Sequence, residues 1–177
     1  FISTTNDDSG TDRVQEYAKT AGLEAQEVVI NVQGDEPLID IEAVNQLGDF
    51  MHANKYKYGT IAQHFSSNTD LLDPNKVKVV LNDDNSAIEF FRDAPIVVKD
   101  FSKVVLHHVG IYAYQVDFLH TFAGLSKTKN ELNLKLEQMR ALDNALPLHV
   151  LELNLDESWG IDTEEDLIRL RKHLELN

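Results

Sequence analysis

Two acidic residues follow an apolar run in the first quarter of the sequence. Asp35 and Glu36 come soon after Val28–Val32, a run rich in β-branched residues that is typical of a buried strand. Ligands of open α/β sheets bind at the carboxyl ends of strands, where carboxylate oxygens are natural ligands of Mg²⁺. Gly34 permits close approach to the backbone, and Pro37 stiffens the turn. These residues leave two interpretations open: a metal site, or a turn whose acids cap the next helix.

A further acid, Asp162, lies just before the last predicted helix. That helix is expected to start at Thr163, whose spacing to Asp166 resembles a capping box with Asp in place of Glu. An acid in this position is typical of helix starts. Asp162 becomes a candidate metal ligand only if the fold brings it beside Asp35.

A glycine-containing loop precedes the first predicted helix. Ser9 and Gly10 stand before a helix whose apolar residues recur at helical spacing: Val14, Tyr17, Ala18 and Ala21. Free N–H groups at such a start suit an anion, but three aspartates beside the loop disfavour a bare phosphate: Asp7, Asp8 and Asp12. The loop therefore suits recognition of a base or ribose, with a simple strand-to-helix connection as the alternative.

A dispersed set of polar side chains includes groups that suit carboxylates and sugar hydroxyls. The set is Arg92, His107, His108, Tyr112, Glu137, Gln138 and Arg140. Arginine forms paired hydrogen bonds with carboxylates, and the other groups suit sugar hydroxyls. Spacing does not connect these residues, and Glu137 with Arg140 also fits a surface pair on one helix.

The composition limits the partners of the chain. Its 177 residues fit one domain, and a net charge of −14 disfavours nucleic-acid polymers and anionic membranes while still permitting a mononucleotide. We find no apolar run of the roughly 18 residues that a membrane span needs, and no signal-peptide pattern. The sequence contains no cysteine, which suits a cytoplasmic location.

Apolar runs alternate with helical patterns, which predicts an α/β fold with a mostly parallel sheet flanked by helices. Strands are predicted at Val28–Val32, Tyr58–Phe65, Val77–Leu81, Ala87–Phe91, within Val104–Tyr114, and at Leu148–Leu155. Helices are predicted from Val14 to a stop at Gly22, at Ile41–His52 after an Asp40 N-cap, at Val116–Ala123, at Asn130–Ala145, and from Thr163. Residues 76–114 break the alternation and are interpreted as a β-rich insertion in a single domain spanning 1–177.

Six blocks together resemble the 3-deoxy-manno-octulosonate cytidylyltransferase (CMP-Kdo synthetase) family. They are Ser9–Arg13, Asn31–Pro37, Asn75–Val80, His108–Tyr114, Leu136–Arg140 and Gly160–Leu167. Their order and approximate spacing also match, and the resemblance covers essentially the whole chain. It implies a Rossmann-like nucleotidyltransferase fold with a β-rich extension, usually a homodimer. It further implies that CTP and Mg²⁺ are used to make CMP-Kdo and pyrophosphate for lipopolysaccharide biosynthesis in the cytoplasm.

The resemblance also assigns roles to residues by position. Asp35 and Asp162 match the catalytic metal ligands, and Ser9 with Gly10 matches the cytidine-side loop. The sugar-acid pocket is matched by Gln33, Arg92, His108, Tyr112, Glu137 and Gln138. The mechanism implied is in-line displacement at the α-phosphorus by the anomeric hydroxyl of the sugar.

The chain departs from the family pattern at its start. Phe1–Thr5 has the character of a strand end, and nothing matches the family's N-terminal segment, whose Arg and Lys hold the triphosphate. We therefore expect residues before Phe1 in the native protein, and no transfer activity if Phe1 is the true start. The order of residues in Asp93–Ile96 also differs from the family.

Two other interpretations of the function remain open on sequence. One is CMP transfer to a different acidic sugar, such as 8-amino-Kdo or sialic acid. The other is a non-catalytic fragment that binds a nucleotide or mediates dimerisation.

Overall fold

The computed structural model describes residues 10–34, 37–93, 104–155, 161 and 163–175. The helices are α1 (Gly10–Ala21), α2 (Ile41–Asn54), α3 (Asn68–Leu72), α4 (Val116–Ala123), α5 (Lys129–Leu134), α6 (Met139–Asp143) and α7 (Glu164–Glu175). The strands are β1 (Val28–Asn31), β2 (Tyr58–Gln63), β3 (Lys78–Leu81), β4 (Ala87–Phe91), β5 (Val105–Gln115) and β6 (His149–Glu152). No helix within these ranges is both long and apolar enough to cross a membrane.

The long strand β5 is the centre of the sheet. On one side it pairs antiparallel with β2, which pairs in parallel with β6. On its other side, β1 pairs with the C-terminal half of β5 and β3 pairs with the N-terminal half, both antiparallel. Strand β4 pairs with β3 and forms the outer edge there.

The α/β class with helices around a central sheet is confirmed, but the expectation of a mostly parallel sheet is wrong for the described strands. Only the β2–β6 pair is parallel. The reason is that β5 runs opposite to three neighbours, β1, β2 and β3, and so makes each of these pairs antiparallel. The predicted β-rich segment at 76–114 supplies β3, β4 and this central strand.

The two faces of the sheet carry separate apolar clusters. Helix α2 buries Leu47 and Met51 against Ile61 and Ile111 on one face. The other face packs against α1, α4 and α6, with Phe122 of α4 among its largest buried side chains. These layers hold in place the end of β1 and the middle of β5, where several candidate site residues lie.

The predicted helix boundaries are confirmed at several caps. The Asp40 side chain accepts a hydrogen bond of 2.8 Å from the backbone N–H of Glu42 at the start of α2. Thr163 and Asp166 form the reciprocal bonds of a capping box before α7. Gly22 follows α1 with φ of +67°, the left-handed conformation that glycine adopts without strain.

The prediction of a single helix at Asn130–Ala145 is wrong, because the structure has two short helices there, α5 and α6. Lys135 ends α5 in the left-handed conformation, with φ of 54°. The turn that follows lets Leu136 and Gln138 enter the interior, with 5% and 2% of their surfaces exposed. A continuous helix would carry these positions around its axis instead of presenting them together to the sheet.

Candidate active site

The sheet is forked along one side of β5. The pairing of β1 with β5 ends at Asn31 opposite Tyr112, and the pairing of β3 begins at Lys78 opposite His107. Residues 108–111 lie between these two partners. Gln33, just beyond β1, reaches this gap, since its Cγ is 4.0 Å from the position of a β-carbon built on Gly110. The carboxyl end of β1, where the sequence predicts a ligand, therefore opens at the fork.

The start of α1 lies beside the end of β1. A β-carbon built on Gly10 would lie 3.8 Å from the side-chain nitrogen of Asn31. Thr11, the next residue, is 2% exposed and its hydroxyl donates to Glu137 Oε2 at 2.7 Å. The glycine turn expected on the nucleotide side thus meets a residue expected on the sugar side.

Tyr112 and Gln138 are joined directly. The tyrosine hydroxyl donates to Gln138 Oε1 at 3.0 Å. Burial raises the pKa of Tyr112 well above its ordinary value, so the hydroxyl keeps its proton and remains a donor. Gln138 Nε2 is buried and has no hydrogen-bond partner among the described residues. An unpaired buried donor is costly, which is reason to expect an acceptor there when the site is filled.

His108 is a buried, neutral member of the same cluster. Its ring lies 5.4 Å from that of Tyr112, and its Nε2 is 2.9 Å from Thr60 Oγ1. The Thr60 hydroxyl donates to the carbonyl of Ile111, so its single hydrogen is committed and His108 Nε2 must carry the proton. Burial lowers the pKa of His108 to about 3.

Arg140 is fully buried, which corrects the interpretation of Glu137 and Arg140 as a surface pair. Its guanidinium donates hydrogen bonds to both carboxylate oxygens of Glu131, from Nε at 2.9 Å and from Nη2. Its contact with Glu137 is longer, at 3.5 Å. The hydrogen bonds with Glu131 raise the pKa of Arg140, and the guanidinium also lies 4.8 Å from the centre of the Phe122 ring. Glu131 in turn caps α5 with Thr128, so this ion pair fixes the segment before Glu137.

Arg92 holds the same segment from the other side. Its Nε donates to the carbonyl of Leu134 at 2.9 Å, and longer bonds of 3.4 Å reach the carbonyls of Lys135 and Pro74. The Arg92 carbonyl accepts a 2.6 Å bond from Lys78 Nζ, which also donates to the carbonyl of Asp73. The lysine is completely buried, and burial lowers its pKa. Arg92 therefore lies beside the turn that carries Glu137 and Gln138.

The structure brings together most of the predicted sugar-side residues that it describes. His108, Tyr112, Gln138 and Glu137 form one continuous cluster, with Gln33 at the fork and Arg92 behind the 134–138 turn. Ser9, Asp35 and Asp162 lie outside the described residues. Within the described ranges, no group of three or more acidic, histidine or cysteine side chains is arranged to hold a metal ion.

Sequence reasoning did not identify two polar residues that organise this cluster. Thr11 lies in the recognised Ser9–Arg13 block but is separated from its partner Glu137 by 126 positions. Lys78 lies in a strand pattern, where lysine is ordinarily exposed. A signal was present in each case. Thr11 follows Gly10, which was predicted to contact the nucleotide, and Lys78 interrupts the otherwise apolar run Val77–Leu81.

Comparison with known proteins places the chain among nucleotide-transferring enzymes. Residues 2–151 match the cytidylyltransferase family. The chain is similar to proteins named 3-deoxy-manno-octulosonate cytidylyltransferase. The protein from Trichlorobacter lovleyi is 38% identical, with 98% of this chain and 73% of that protein covered. The protein from Thermodesulfovibrio yellowstonii is 40% identical, with 90% and 67% covered.

Two solved structures share the fold. A CMP:2-keto-3-deoxy-manno-octonic acid synthetase complexed with CTP has a TM-score of 0.84 and 30% identity, with 97% of this chain and 70% of that chain covered. A putative glucose-1-phosphate thymidylyltransferase from Bacillus anthracis has a TM-score of 0.58 and 15% identity. The second likeness concerns the fold alone.

Proposed function

The chain belongs to the cytidylyltransferase family, and we propose that it transfers CMP from CTP to 3-deoxy-D-manno-octulosonate (Kdo), releasing pyrophosphate. The observation that carries the proposal is that the start of α1, at Gly10 and Thr11, lies against Asn31 at the end of β1 and is hydrogen-bonded to Glu137. A transferase for two substrates needs a nucleotide side and an acceptor side in contact. The names of the relatives, and the CTP in one solved relative, support these two substrates.

The sugar side of the proposed site is rich in groups that hydrogen-bond hydroxyls. Gln138 presents an unpartnered amide N–H, and Glu137, with 28% of its side chain exposed, presents carboxylate oxygens. His108 and Tyr112 hold this surface as neutral groups, because burial disfavours their charged forms. We assign the Kdo carboxylate to Arg92, whose guanidinium has more N–H groups than its three carbonyl partners occupy. Gln33 completes this side at the fork, and Ser9 and Gly10 form the nucleotide side.

We assign the divalent metal ion implied by the family to Asp35 and Asp162, and propose that it is Mg²⁺. Two carboxylates with substrate phosphates are a donor set that Mg²⁺ prefers. Gly34 follows β1 and Thr163 caps α7 immediately after Asp162, and the pairing of the two acids at one metal rests on the family resemblance. When bound, the ion would neutralise charge that develops on the phosphate oxygens.

The reaction proposed is an in-line displacement at the α-phosphorus of CTP. The anomeric hydroxyl of the sugar forms the new O–P bond and loses its proton, while the bond to pyrophosphate breaks. The residues of this chain act chiefly by position: Arg92, Glu137 and Gln138 orient the sugar, and the Gly10 turn orients the nucleotide. Such positioning and electrostatic preorganisation carry most of the barrier lowering in phosphoryl transfer.

The proposal places the protein in lipopolysaccharide biosynthesis, in the cytoplasm and as a homodimer. The net charge of −14 and the absence of cysteine are compatible with that setting. The dimer rests on the family resemblance.

A competition assay tests the choice of acceptor. The full-length enzyme is incubated with CTP, Mg²⁺ and equal concentrations of Kdo, 8-amino-Kdo and sialic acid, and the CMP-sugars are separated and quantified. We expect CMP-Kdo to dominate. If another CMP-sugar dominates, that sugar and not Kdo is the acceptor. If no CMP-sugar forms, the result favours a non-catalytic binding fragment.

A further inference from the structure

Thr11 connects the two proposed substrate sides through one buried hydroxyl. It lies in the first turn of α1, next to Gly10, and is 2% exposed. Its Oγ1 is 2.7 Å from Glu137 Oε2 and 3.2 Å from the Tyr114 hydroxyl. These three groups come from α1, β5 and the turn between α5 and α6, so the bonds join separate parts of the fold.

The direction of the hydrogen bonds is set by the chemistry of the groups. A threonine hydroxyl has one hydrogen, and an ionised carboxylate only accepts, so the hydrogen goes to Glu137. Tyr114 must then donate to Thr11. Burial raises the pKa of Tyr114, so its hydroxyl keeps the proton that this bond requires. Hydrogen bonds aligned in this way strengthen one another, particularly when they end on a charge.

Glu137 has no closer partner than Thr11 among the contacts of the described residues. Arg140 approaches its other oxygen at 3.5 Å, but that guanidinium is committed to Glu131. The Glu137 side chain is 28% exposed and therefore has an open side. Without the Thr11 hydroxyl, the carboxylate would be free to turn towards Arg140 or the solvent.

We infer that Thr11 is a positioning residue: its hydroxyl fixes the Glu137 carboxylate for the acidic sugar and ties that carboxylate to the nucleotide-side turn. This inference rests on the proposed function, because it takes Glu137 as a sugar-binding group. A purely structural threonine would satisfy Tyr114 and stabilise α1 without any preference between the two substrates.

Steady-state kinetics of the full-length enzyme tests this role. Thr11→Val keeps the shape and removes the hydroxyl, and Thr11→Ser keeps the hydroxyl. Loss of a hydrogen bond to a charged group should raise the KM for Kdo about tenfold or more, while the KM for CTP changes much less. Thr11→Ser should restore most of the loss. Tyr114→Phe, which removes only the outer bond, should have a smaller effect than Thr11→Val.

A double mutant makes the test specific to Glu137. If Thr11 acts through that carboxylate, adding Thr11→Val to Glu137→Gln should change the KM for Kdo little further. The inference would be overturned by any of three results. The KM increases of Thr11→Val and Glu137→Gln could multiply in the double mutant, Thr11→Val could raise the KM for CTP as much as that for Kdo, or Thr11→Ser could fail to restore the KM for Kdo. Should Thr11→Val fail to fold, Thr11→Cys, a poor donor of similar size, carries the same expectation. Absence of CMP-Kdo formation by the unsubstituted enzyme would instead mark failure of the proposed function, and of this inference with it.

Discussion

Two buried cations support the turn at 134–138 in different ways. Arg140 on α6 is paired with a buried acid, Glu131, whereas Lys78 on β3 donates to the main-chain carbonyls of Asp73 and Arg92. Their pKa values move in opposite directions: hydrogen bonding to Glu131 raises that of Arg140, and burial lowers that of Lys78. One turn is therefore held on one side by a cation that is hydrogen-bonded to a carboxylate, and on the other by a cation whose hydrogen bonds go to main-chain carbonyls.

The largest effect on folding is expected on substitution of Arg140, the cation that is paired with Glu131. Arg140→Met would leave the Glu131 carboxylate buried without its partner, which costs about 3–5 kcal/mol in comparable cases. We expect the free energy of unfolding, measured by denaturant titration, to fall by that amount. The double variant Arg140→Met, Glu131→Leu removes both charges and should recover part of the loss. A loss below about 1 kcal/mol in the single variant would show that the ion pair is not a main support.

Lys78, which is bonded to main-chain carbonyls, should respond less to substitution, and its response should depend on pH. Lys78→Met removes the Nζ donor from the carbonyls of Arg92 and Asp73, of which Asp73 keeps the backbone N–H of Lys76, and we expect a loss of about 1–3 kcal/mol at neutral pH. Because the folded pKa lies below the unfolded value, the unfolded chain binds more protons at alkaline pH, so wild-type stability should rise relative to the variant as the pH increases towards the ordinary lysine pKa of about 10.4. A constant difference in stability between the two proteins as the pH rises would contradict a lowered pKa of Lys78 in the folded protein.

Arg92 tests whether these supports also serve binding. We expect Arg92→Ala to raise the KM for the sugar acid about tenfold or more, and the KM for CTP far less, because the guanidinium is assigned to the sugar carboxylate. Arg92→Lys should restore the value only partly, since an ammonium cannot form the paired bonds. Equal effects on both substrates would instead assign Arg92 to the scaffold, through its bonds to Leu134 and Pro74.

A buried neutral base, His108, gives an effect that appears only as the pH falls below about 6.5. The pKa of His108 is about 3 in the folded protein and close to 6.5 when unfolded, so the unfolded chain takes up the proton first as pH falls. Its contribution to stability is complete above about pH 6.5 and should decline below it by about 1.4 kcal/mol per pH unit. Denaturant titrations from pH 7 to 4.5 should give a shallower decline for His108→Gln. Identical slopes would mean that His108 is not a buried neutral base.

The local parts of this architecture were predictable from sequence. Caps such as Asp40 and the Thr163–Asp166 pair depend on residues within one turn. The hairpin of β3 and β4 is predicted by the segment rich in turn-forming residues between the two strands. The family resemblance added the sugar-side residues, and the structure shows that Tyr112 and Gln138 are in direct contact.

The remaining features depend on contacts that no local pattern encodes. The left-handed break at Lys135 becomes favourable only because Leu136 and Gln138 then reach the core. The antiparallel setting of β5 follows from the chain path between strands, not from its apolar pattern, which suits either direction. Thr11 and Glu137 meet across 126 positions, so their hydrogen bond required the fold.

In the proposed function, the CMP–Kdo bond forms at a metal site built from Asp35 and Asp162. The direct measurement is ³¹P NMR of the full-length enzyme with CTP, Kdo and Mg²⁺, comparing wild type with Asp35→Asn, Asp162→Asn and the double variant. We expect wild type to yield a CMP-Kdo phosphodiester signal with pyrophosphate, and each single variant to lose at least about a hundredfold in kcat while remaining folded. The double variant should be little slower than either, and higher Mg²⁺ should partly rescue the single variants. No phosphodiester from wild type would contradict the proposed reaction, and additive losses that do not depend on Mg²⁺ would contradict the shared metal site.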